Sequence, residues 1–382
     1  MSNAGLRRMA LHQVVISPKT RWVFMQVEDA EGRRGSGEAS LNGKESALAE
    51  AADRLAAHAL QCSTAAPAVF AAAIQPRDLA EAAMVSAIDQ ALWDLHAQKA
   101  GLRLVDALGG ARRESITLYA NINRRTVERS PQGFAQSARA ARDAGFCAFK
   151  MAPFDEVDVA LCKRGGGAAA MQAGLARVGA VRAQIGPACR LMVDCHWRFD
   201  EATAARLIDA AAEFGVYWIE CPLPEIAAHI AALVRLRGLA NARGIRLAGM
   251  EQGIGFDAFR PYCEAGAYDV MMPDVKYIGG LAEMLRAAAA FAGYGVAMSP
   301  HNPSGPIAHA ASLQVGAAME SFDTLELQFD ESPLFDTLAG GEVPVRVAGS
   351  SALPAAPGLG VRLDQRLLGL HADCAVRVWA AS

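Results

Sequence analysis

The feature that most constrains the fold is an alternation of short apolar runs with alanine-rich stretches of helical periodicity, which starts near residue 116. Short strands that alternate with helices are typical of a parallel sheet. Eight such strands close naturally into a (β/α)8-type barrel. The eight apolar runs are Ile116–Ala120, Cys147–Lys150, Leu191–Val193, Tyr217–Ile219, Arg246–Ala248, Val270–Met272, Val296–Met298 and Thr324–Leu327.

An open, doubly wound α/β sheet is the alternative arrangement. Sheets of that kind that bind dinucleotides carry a G-x-G-x-x-G turn after the first strand, and nucleotide-binding P-loop sheets carry a Walker A lysine loop. The sequence has neither motif at the corresponding place. We therefore favour the barrel.

The residues before the alternation have a mixed character. A strand pattern at Trp22–Val27 turns at Asp29–Gly32 and resumes at Gly35–Glu38, and two helical patterns follow over 44–60 and 79–100. From Leu334 onward the alternation is lost, and we expect this tail to fold back on the first block. The sequence thus predicts an N-terminal α+β domain over 5–112, a barrel over 113–333 and a returning C-terminal segment over 334–382.

Charge and cysteine content narrow the classes of partner. The 37 basic and 40 acidic residues give a net charge of -3 without a long run of one sign, so we expect neither nucleic-acid nor membrane binding. No apolar stretch reaches the roughly 18 to 20 residues of a membrane span. Eight irregularly spaced cysteines, without a C-x-x-C pair or a secretory leader pattern, predict a cytoplasmic protein. A small molecule remains as the expected partner.

Nearly every apolar run ends in a polar residue. Because the carboxyl ends of barrel strands meet on one face, where barrel enzymes keep their chemistry, these residues are the candidates for a site. They are Lys150, Asp194, His196, Glu220, Glu251, Asp274, His301 and Glu326.

Three carboxylates in this set, those of Asp194, Glu220 and Glu251, come from adjacent predicted strands. Taken singly, each has the alternative of a helix N-cap or a surface ion pair. Side by side without a counter-ion they would repel one another, and at least one would be protonated. A divalent cation resolves this conflict, and an all-oxygen set favours Mg2+ over Ca2+ or Mn2+ and disfavours zinc.

Two histidines are candidates for proton transfer. His301 lies one predicted strand after Asp274, and neighbouring strands are about 5 Å apart, so the carboxylate can orient the imidazole as a general base. His196 stands two positions beyond Asp194, so its side chain leaves an extended backbone on the same face. For either histidine, a hydrogen-bonded loop or core position is the alternative.

The motifs resemble those of the enolase superfamily, and within it the mandelate racemase subgroup. The resemblance implies an α+β capping domain, built from both chain ends, over a (β/α)7β TIM-like barrel. It also implies a homo-oligomer. The matching pieces are Ala83–Asp94 with Leu108–Gly110, Gly145–Lys150, Val193–Asp194, Trp218–Glu220, Pro273–Asp274 with Ile278–Gly280, and Ser299–His301.

Within the subgroup, the chain is most similar to sugar-acid dehydratases of the galactonate dehydratase type. It shares their D-x-H at Asp194–His196 and their Pro-His-x-Pro-x-Gly-Pro-Ile loop at Pro300–Ile307, whereas Ala152 replaces the second lysine of the racemases' K-x-K. The resemblance implies an Mg2+-dependent hydro-lyase, with Mn2+ as a substitute. Its substrate would be an aldonate or aldarate, converted through a metal-stabilised enediolate to a 2-keto-3-deoxy acid.

The resemblance also implies roles for single residues. His301, oriented by Asp274, would take the α-proton, and His196 would protonate the departing β-hydroxyl. Lys150 would stabilise the substrate carboxylate and the developing enediolate, and Glu326 would be a hydrogen-bonding partner at the rim.

Substrate contacts are expected from the segment Ser17–Arg21, which would fold over the barrel mouth. Lys19 or Arg21 could pair with a second carboxylate, and solvent-exposed loop charges are the alternative. Arg198, on the loop that follows His196, is a further candidate for substrate contact.

Three alternatives stay open at this point. An epimerase or racemase, or a lactone cycloisomerase, would share the metal site, and an inert barrel would only bind a ligand. Two features depart from the family pattern and bear on Glu251 as third ligand. Met250 precedes it where a small glycine is usual, and the step from Glu220 to Glu251 is longer than that from Asp194 to Glu220.

Overall fold

An antiparallel sheet begins the fold. In the computed structural model, which describes residues 5–340, 344 and 346–381, it is built from β1 (Leu6–Ser17), β2 (Thr20–Asp29) and β3 (Arg34–Glu38). Four helices follow: α1 (Glu45–Leu60), α2 (Ala68–Ala72), α3 (Leu79–Ala100) and α4 (Leu104–Ala107). The long helix α3 begins where the Asp78 side chain accepts the Glu81 N–H and ends at Gly101, whose φ of 67° is left-handed. These elements form the cap.

Each of the eight apolar runs overlaps a strand of a parallel barrel, as predicted. Consecutive strands pair in parallel from the first to the seventh, and the eighth pairs with the first. Between the seventh and eighth strands, Asp323 N–H donates to Met298 O at 2.8 Å. The strands are β4 (Ser115–Asn121), β5 (Ala148–Met151), β6 (Arg190–Asp194), β7 (Trp218–Glu220), β8 (Arg246–Gly249), β9 (Val270–Met271), β10 (Ala297–Met298) and β11 (Leu325–Gln328).

Helices make the seven connections, which gives the predicted (β/α)7β order. The connection between β5 and β6 contains two helices, and a 3-10 turn (Ala227–His229) precedes the helix between β7 and β8. That extra turn lies in the longer step from Glu220 to Glu251. The helices are α5 (Pro131–Asp143), α6 (Val159–Lys163), α7 (Gly167–Ile185), α8 (Glu201–Ala212), α9 (Ile230–Ala242), α10 (Gly255–Ala265), α11 (Leu281–Gly293) and α12 (Pro306–Ala318).

The C-terminal part touches both the barrel and the cap. It contains α13 (Leu334–Thr337), β12 (Arg346–Val347), β13 (Ser350–Ala352), α14 (Gln365–Leu370) and β14 (Arg377–Ala380). β13 runs antiparallel to β4, and β14 runs antiparallel to β1. Residues 341–343, 345 and 382 of the predicted C-terminal segment lie outside the described residues. Among the helices of the described part, none has both the length and the apolar character needed to cross a membrane.

Buried carboxylates of the cap accept hydrogen bonds from the N-termini of two barrel helices. Glu38 accepts the N–H groups of Gly305 and Ala308, at 2.7 and 2.9 Å, where α12 begins, and Asp89 accepts the Leu281 N–H at 2.7 Å, where α11 begins. The first N–H groups of a helix have no partner within the helix, and its dipole favours negative charge at that end. The cap therefore packs on the face where the strands end and the helices begin.

Asp94 ties three separate parts of the chain together. Its carboxylate accepts the N–H groups of Ser36 in β3 and of Leu359, each at 2.9 Å, and the Gln98 amide at 2.9 Å. The side chain is fully buried, and burial raises its pKa to about 6. One carboxylate thus joins the cap sheet, α3 and the C-terminal part.

We expect Asp94→Ala to lower the free energy of unfolding by about 2 to 5 kcal/mol, because each buried N–H left without an acceptor costs about 1 to 3 kcal/mol. Chemical denaturation followed by circular dichroism measures this loss. Asp209→Ala is the matched control, since Asp209 pairs with Arg243 at the surface; its effect should stay within about 0.5 kcal/mol. Equal stability of the two variants would contradict the assigned role of Asp94.

Candidate active site

The parallel register brings three carboxylates to one edge of the barrel. Asp194, the last residue of β6, pairs with Glu220, the last residue of β7, and Glu251 follows the end of β8 by two residues. All three side chains are buried, and one oxygen from each lies within 4.8 Å of the others. The predicted ligand set therefore converges, and Met250 does not displace Glu251 from it.

The turns that carry these carboxylates have an uncommon backbone. Six non-glycine residues of the described part have a left-handed φ, and four of them lie here: His196 at 46°, Trp197 at 57°, Cys221 at 46° and Met250 at 70°. Such conformations cost about 1 to 3 kcal/mol each and persist only where the surroundings hold them. Contacts around the turns must therefore fix where the carboxylates point.

A single ammonium group lies among the carboxylates. Lys150 Nζ is 2.6 Å from Glu220 Oε1, 3.2 Å from Glu326 Oε1 and 3.9 Å from Glu251 Oε1. Burial lowers the pKa of Lys150, but Glu220 and Glu326 outweigh burial and hold that pKa well above its usual value. Lys150 is therefore a fixed positive charge with its hydrogen bonds directed at carboxylates.

The negative charge of the cluster exceeds what Lys150 can balance. Burial, together with the neighbouring charges of Asp194 and Glu220, raises the pKa of Glu251 well above its usual value. Trp218 Nε1 donates to Glu220 Oε2 at 3.0 Å, which orients one of the three carboxylates. Convergent, buried, all-oxygen donors with excess negative charge fit a hard divalent cation.

His301 and Asp274 form the predicted pair. His301 Nδ1 lies 2.8 Å from Asp274 Oδ2, and His301 Nε2 lies 3.7 Å from Glu251 Oε1. An ionised carboxylate only accepts hydrogen bonds, so Nδ1 carries the proton of the neutral ring and Nε2 presents its lone pair to the site. The arrangement is that of an oriented general base.

Sequence reasoning missed Lys276, which shares the same carboxylate. Lys276 Nζ donates to Asp274 Oδ2 at 2.6 Å, and its backbone N–H donates to Asp274 Oδ1 at 2.8 Å. Burial raises the pKa of Asp274, but the charges of Lys276 and His301 outweigh burial and lower it. The spacing of two residues between Asp274 and Lys276 is the signal that could have revealed the pair.

His196 contacts one of the three cluster carboxylates. Its Nε2 lies 2.7 Å from Asp194 Oδ2, and its backbone N–H donates to Asp194 Oδ1 at 2.8 Å. The negative charge of Asp194 raises the pKa of His196. The His196 side chain is 40% exposed, whereas that of His301 is 14% exposed. His196 is therefore the more solvent-exposed of the two histidines.

Glu326 is buried in the same site, 3.2 Å from Lys150 Nζ, and has two partners that the sequence analysis did not single out. Asn121 Nδ2 donates to Glu326 Oε1 at 2.5 Å, and the Asn302 N–H donates to Glu326 Oε2 at 2.9 Å. Burial raises the pKa of Glu326, but Lys150 and the other neighbours outweigh burial and lower it. Asn121 ends β4 as the other site residues end their strands, and Asn302 directly follows His301.

Two residues predicted to contact the substrate, Arg198 and Arg21, interact with other groups of the protein. Arg198 donates to the backbone carbonyls of Asp155 and Val157, at 3.1 Å each, and Arg21 pairs with Asp373 at 2.5 Å. Neither guanidinium bonds to the carboxylate cluster in the described part of the chain, so their contact with a substrate stays a prediction.

The turn between β1 and β2 contacts the barrel through Thr20, which the sequence analysis did not single out. Lys19 in this turn is exposed, and next to it Thr20 Oγ1 donates to Glu331 Oε1 at 2.5 Å. Arg124, from the loop after β4, donates to Glu331 as well, at 2.9 Å. This contact joins the cap to the barrel, and a role for Lys19 in substrate binding stays a prediction.

Comparison with known families covers most of the chain. Residues 7–109 match the family described as "Mandelate racemase / muconate lactonizing enzyme, N-terminal domain", and residues 133–367 match "Enolase C-terminal domain-like". The buried cluster of Asp194, Glu220 and Glu251 is typical of the divalent metal site of the enolase superfamily.

Curated relatives are sugar-acid dehydratases. A D-gluconate dehydratase of Thermoproteus tenax is 30% identical over 76% of this chain, and the match spans 56% of that relative's length. A D-galactonate dehydratase of Ralstonia nicotianae is 28% identical over 91% of this chain and 90% of the relative. These relatives are distant, and the chain is similar to them over most of its length.

Solved structures share the fold. A mandelate racemase/muconate lactonizing enzyme from Jannaschia sp. CCS1 superposes with a TM-score of 0.86 at 22% identity, over 98% of this chain and 99% of that one. A member of the enolase superfamily from Salmonella Typhimurium gives a TM-score of 0.85 at 22% identity over 98% and 99% of the two chains.

We expect Mg2+ to raise the free energy of unfolding by about 2.7 kcal/mol at a concentration of 100 Kd. Glu251→Gln should abolish this gain. Because Glu251 repels Asp194 and Glu220, the variant should be no less stable than the parent without metal. Differential scanning calorimetry with and without Mg2+ measures both effects.

Glu264→Gln is the control, since Glu264 is an exposed residue of the nearby helix α10. It should keep the full response to Mg2+. A parent protein whose stability does not change with Mg2+ would contradict the metal site.

Proposed function

Because the chain belongs to the mandelate racemase / muconate lactonizing enzyme group of the enolase superfamily, we propose that it is a hydro-lyase of sugar acids. The proposed substrate is an aldonate or aldarate, and the product is a 2-keto-3-deoxy acid. The observation that carries the proposal is the His301–Asp274 pair, whose free Nε2 faces the buried carboxylate cluster. The distant relatives that are D-gluconate and D-galactonate dehydratases support the same substrate class.

The reaction first requires a positive environment for the substrate carboxylate. Mg2+ held by Asp194, Glu220 and Glu251, with Mn2+ as a substitute, would supply Lewis-acid stabilisation of the negative charge that develops when the α-proton leaves. Lys150 adds a buried positive charge at the same place, 2.6 Å from Glu220. Glu326, which accepts a hydrogen bond from Asn121, lies 3.2 Å from the same ammonium group.

His301 takes the α-proton at Nε2 in this proposal. Asp274 fixes the ring orientation and stabilises the imidazolium that forms, while Lys276 holds Asp274 in place. A general base contributes about 10²- to 10⁴-fold to a rate, so the electrostatic surroundings must supply the larger share of the acceleration.

His196 then gives a proton to the departing β-hydroxyl. Its hydrogen bond to Asp194 favours the protonated ring, which is the form that a general acid needs. Lys150 is not the base of this scheme, because its ammonium donates to Glu220 and lies against Glu326. Ala152, two residues further along, has no group to take that role.

A screen of aldonic and aldaric acids in the presence of Mg2+ tests the proposal, with 2-keto acid formation measured by semicarbazide absorbance. We expect turnover of at least one acid. If deuterium from D2O instead enters recovered substrate, an epimerase is indicated. If a lactone forms or opens, a cycloisomerase is indicated. Either result, or no reaction with any acid while Mg2+ binds, would overturn the dehydratase assignment.

The two histidines should be separable by isotope exchange. We expect His301→Asn to abolish both turnover and exchange of the α-proton in D2O, because the base is lost. His196→Asn should abolish elimination but keep measurable α-proton exchange, because only the acid is lost. Proton NMR of the substrate in D2O measures both reactions.

His58→Asn, on the exposed side of α1, is the control and should leave both reactions unchanged. Both active-site variants should still bind Mg2+. Retained exchange in His301→Asn, with metal binding intact, would show that another residue is the base.

A further inference from the structure

Glu225, on the loop after β7, occupies the point where the three ligand-bearing turns meet. Its side chain is half-buried, and Oε1 accepts hydrogen bonds from the Met250 N–H, from Tyr268 OH at 3.0 Å and from Cys221 Sγ at 3.7 Å. The Trp197 side chain is a further donor to the same carboxylate. The sequence analysis assigned Glu225 no role, and the reaction scheme above does not use it.

Each of three donors belongs to a different turn of the metal site. Trp197 follows Asp194 by three residues, Cys221 directly follows Glu220, and Met250 directly precedes Glu251. All three have a left-handed φ, at 57°, 46° and 70°. One carboxylate therefore bonds to a residue with a left-handed φ within three positions of every proposed ligand.

The end of β8 leaves room for this contact. A Cβ on Gly249 would lie 2.5 Å from Glu225 Oε1 and 2.7 Å from Tyr268 Cζ, so any larger residue at this position would push the carboxylate away. Tyr268 in turn packs against Tyr262, with ring centroids 6.1 Å apart. On this side the carboxylate therefore packs against the backbone of Gly249 and the ring of Tyr268.

We propose that Glu225 is the positioning residue of the metal site, which holds the three turns so that Asp194, Glu220 and Glu251 converge. The inference rests on the metal site of the proposed function. Glu225 acts through the backbone and side chains of the turns and does not ligate the ion. Without it, Met250 would lose the acceptor that holds its left-handed conformation, and Glu251 would turn away from the other two carboxylates.

The reason for a carboxylate at this point is its capacity as an acceptor. Burial raises the pKa of Glu225, and hydrogen bonds from the four donors that converge there oppose this rise. In the ionised form the carboxylate has about four lone-pair sites for these donors. Groups that orient metal ligands in this way typically change metal affinity 10- to 100-fold when removed. Loss of Glu225 is therefore expected to weaken metal binding although Glu225 is not a proposed ligand.

Isothermal titration of the full chain with MgCl2 tests the inference. We expect Glu225→Ala to raise the Kd for Mg2+ about 10- to 100-fold. Glu283→Ala is the matched control, because Glu283 also accepts a backbone N–H, that of Phe256 at 2.6 Å, but touches none of the three turns. Its Kd should equal that of the parent protein even if its melting temperature falls.

Two milder variants keep the test decisive if Glu225→Ala does not fold. Glu225→Gln keeps an acceptor for Met250, and Tyr268→Phe removes one donor that lies on no ligand turn, so both should fold and raise the Kd less than the alanine variant does. A Kd for Mg2+ equal to that of the parent protein in Glu225→Ala would overturn the inference. Where the alanine variant does not fold, a parental Kd in both milder variants would do so. An equal rise of the Kd in Glu283→Ala would overturn it as well. A parent protein that binds no Mg2+ would overturn the metal site itself, which distinguishes the two failures.

Discussion

Mutual repulsion among buried carboxylates is the constraint on which the rest of the site depends. Asp194, Glu220 and Glu251 place oxygens within 4.8 Å of one another, and Glu326 adds a fourth negative charge around the single ammonium of Lys150. Where burial removes most of the screening by water, unbalanced charges of this kind cost several kcal/mol each. The chain can keep such a cluster only if the backbone holds the side chains in place and a further cation compensates them. The left-handed turns meet the first condition, and the ligand set is suited to the second.

The cap carries carboxylates that complement the positive helix N-termini on the same face of the barrel. Helices that follow the strands begin there, with unpaired N–H groups and the positive ends of their dipoles. Glu38 and Asp89 of the cap accept N–H groups at two of these ends, at the starts of α12 and α11. On one face of the barrel, the strands therefore end in carboxylates, and the helices begin next to carboxylates that come from the cap. This accounts for why a separate layer packs over the site, since its carboxylates accept the N–H groups at the helix starts that surround the cluster.

The sequence predicts what local periodicity and strand register control. The eight strands and the convergence of Asp194, Glu220 and Glu251 follow from apolar runs and from the shared edge of parallel strands. Contacts between distant residues have no such signal: Thr20 meets Glu331 across 311 residues, and β13 pairs with β4 from the far end of the chain. Arg198 shows a third limit, because it follows two residues with a left-handed φ and strand alternation does not predict its direction. Its guanidinium donates to the carbonyls of Asp155 and Val157, and its contact with a substrate stays a prediction.

The two histidines differ in a way that suits the direction of the proposed elimination. His301 is tied at Nδ1 to a carboxylate outside the ligand set, so its Nε2 is fixed, and only 14% of its side chain reaches solvent. His196 is tied to a cluster carboxylate and is 40% exposed, so it can regain a proton from water after giving one to the leaving hydroxyl. An acid on the more exposed side of the site releases water where it can leave. The same asymmetry disfavours a racemase, in which two bases of similar character would face each other across the substrate.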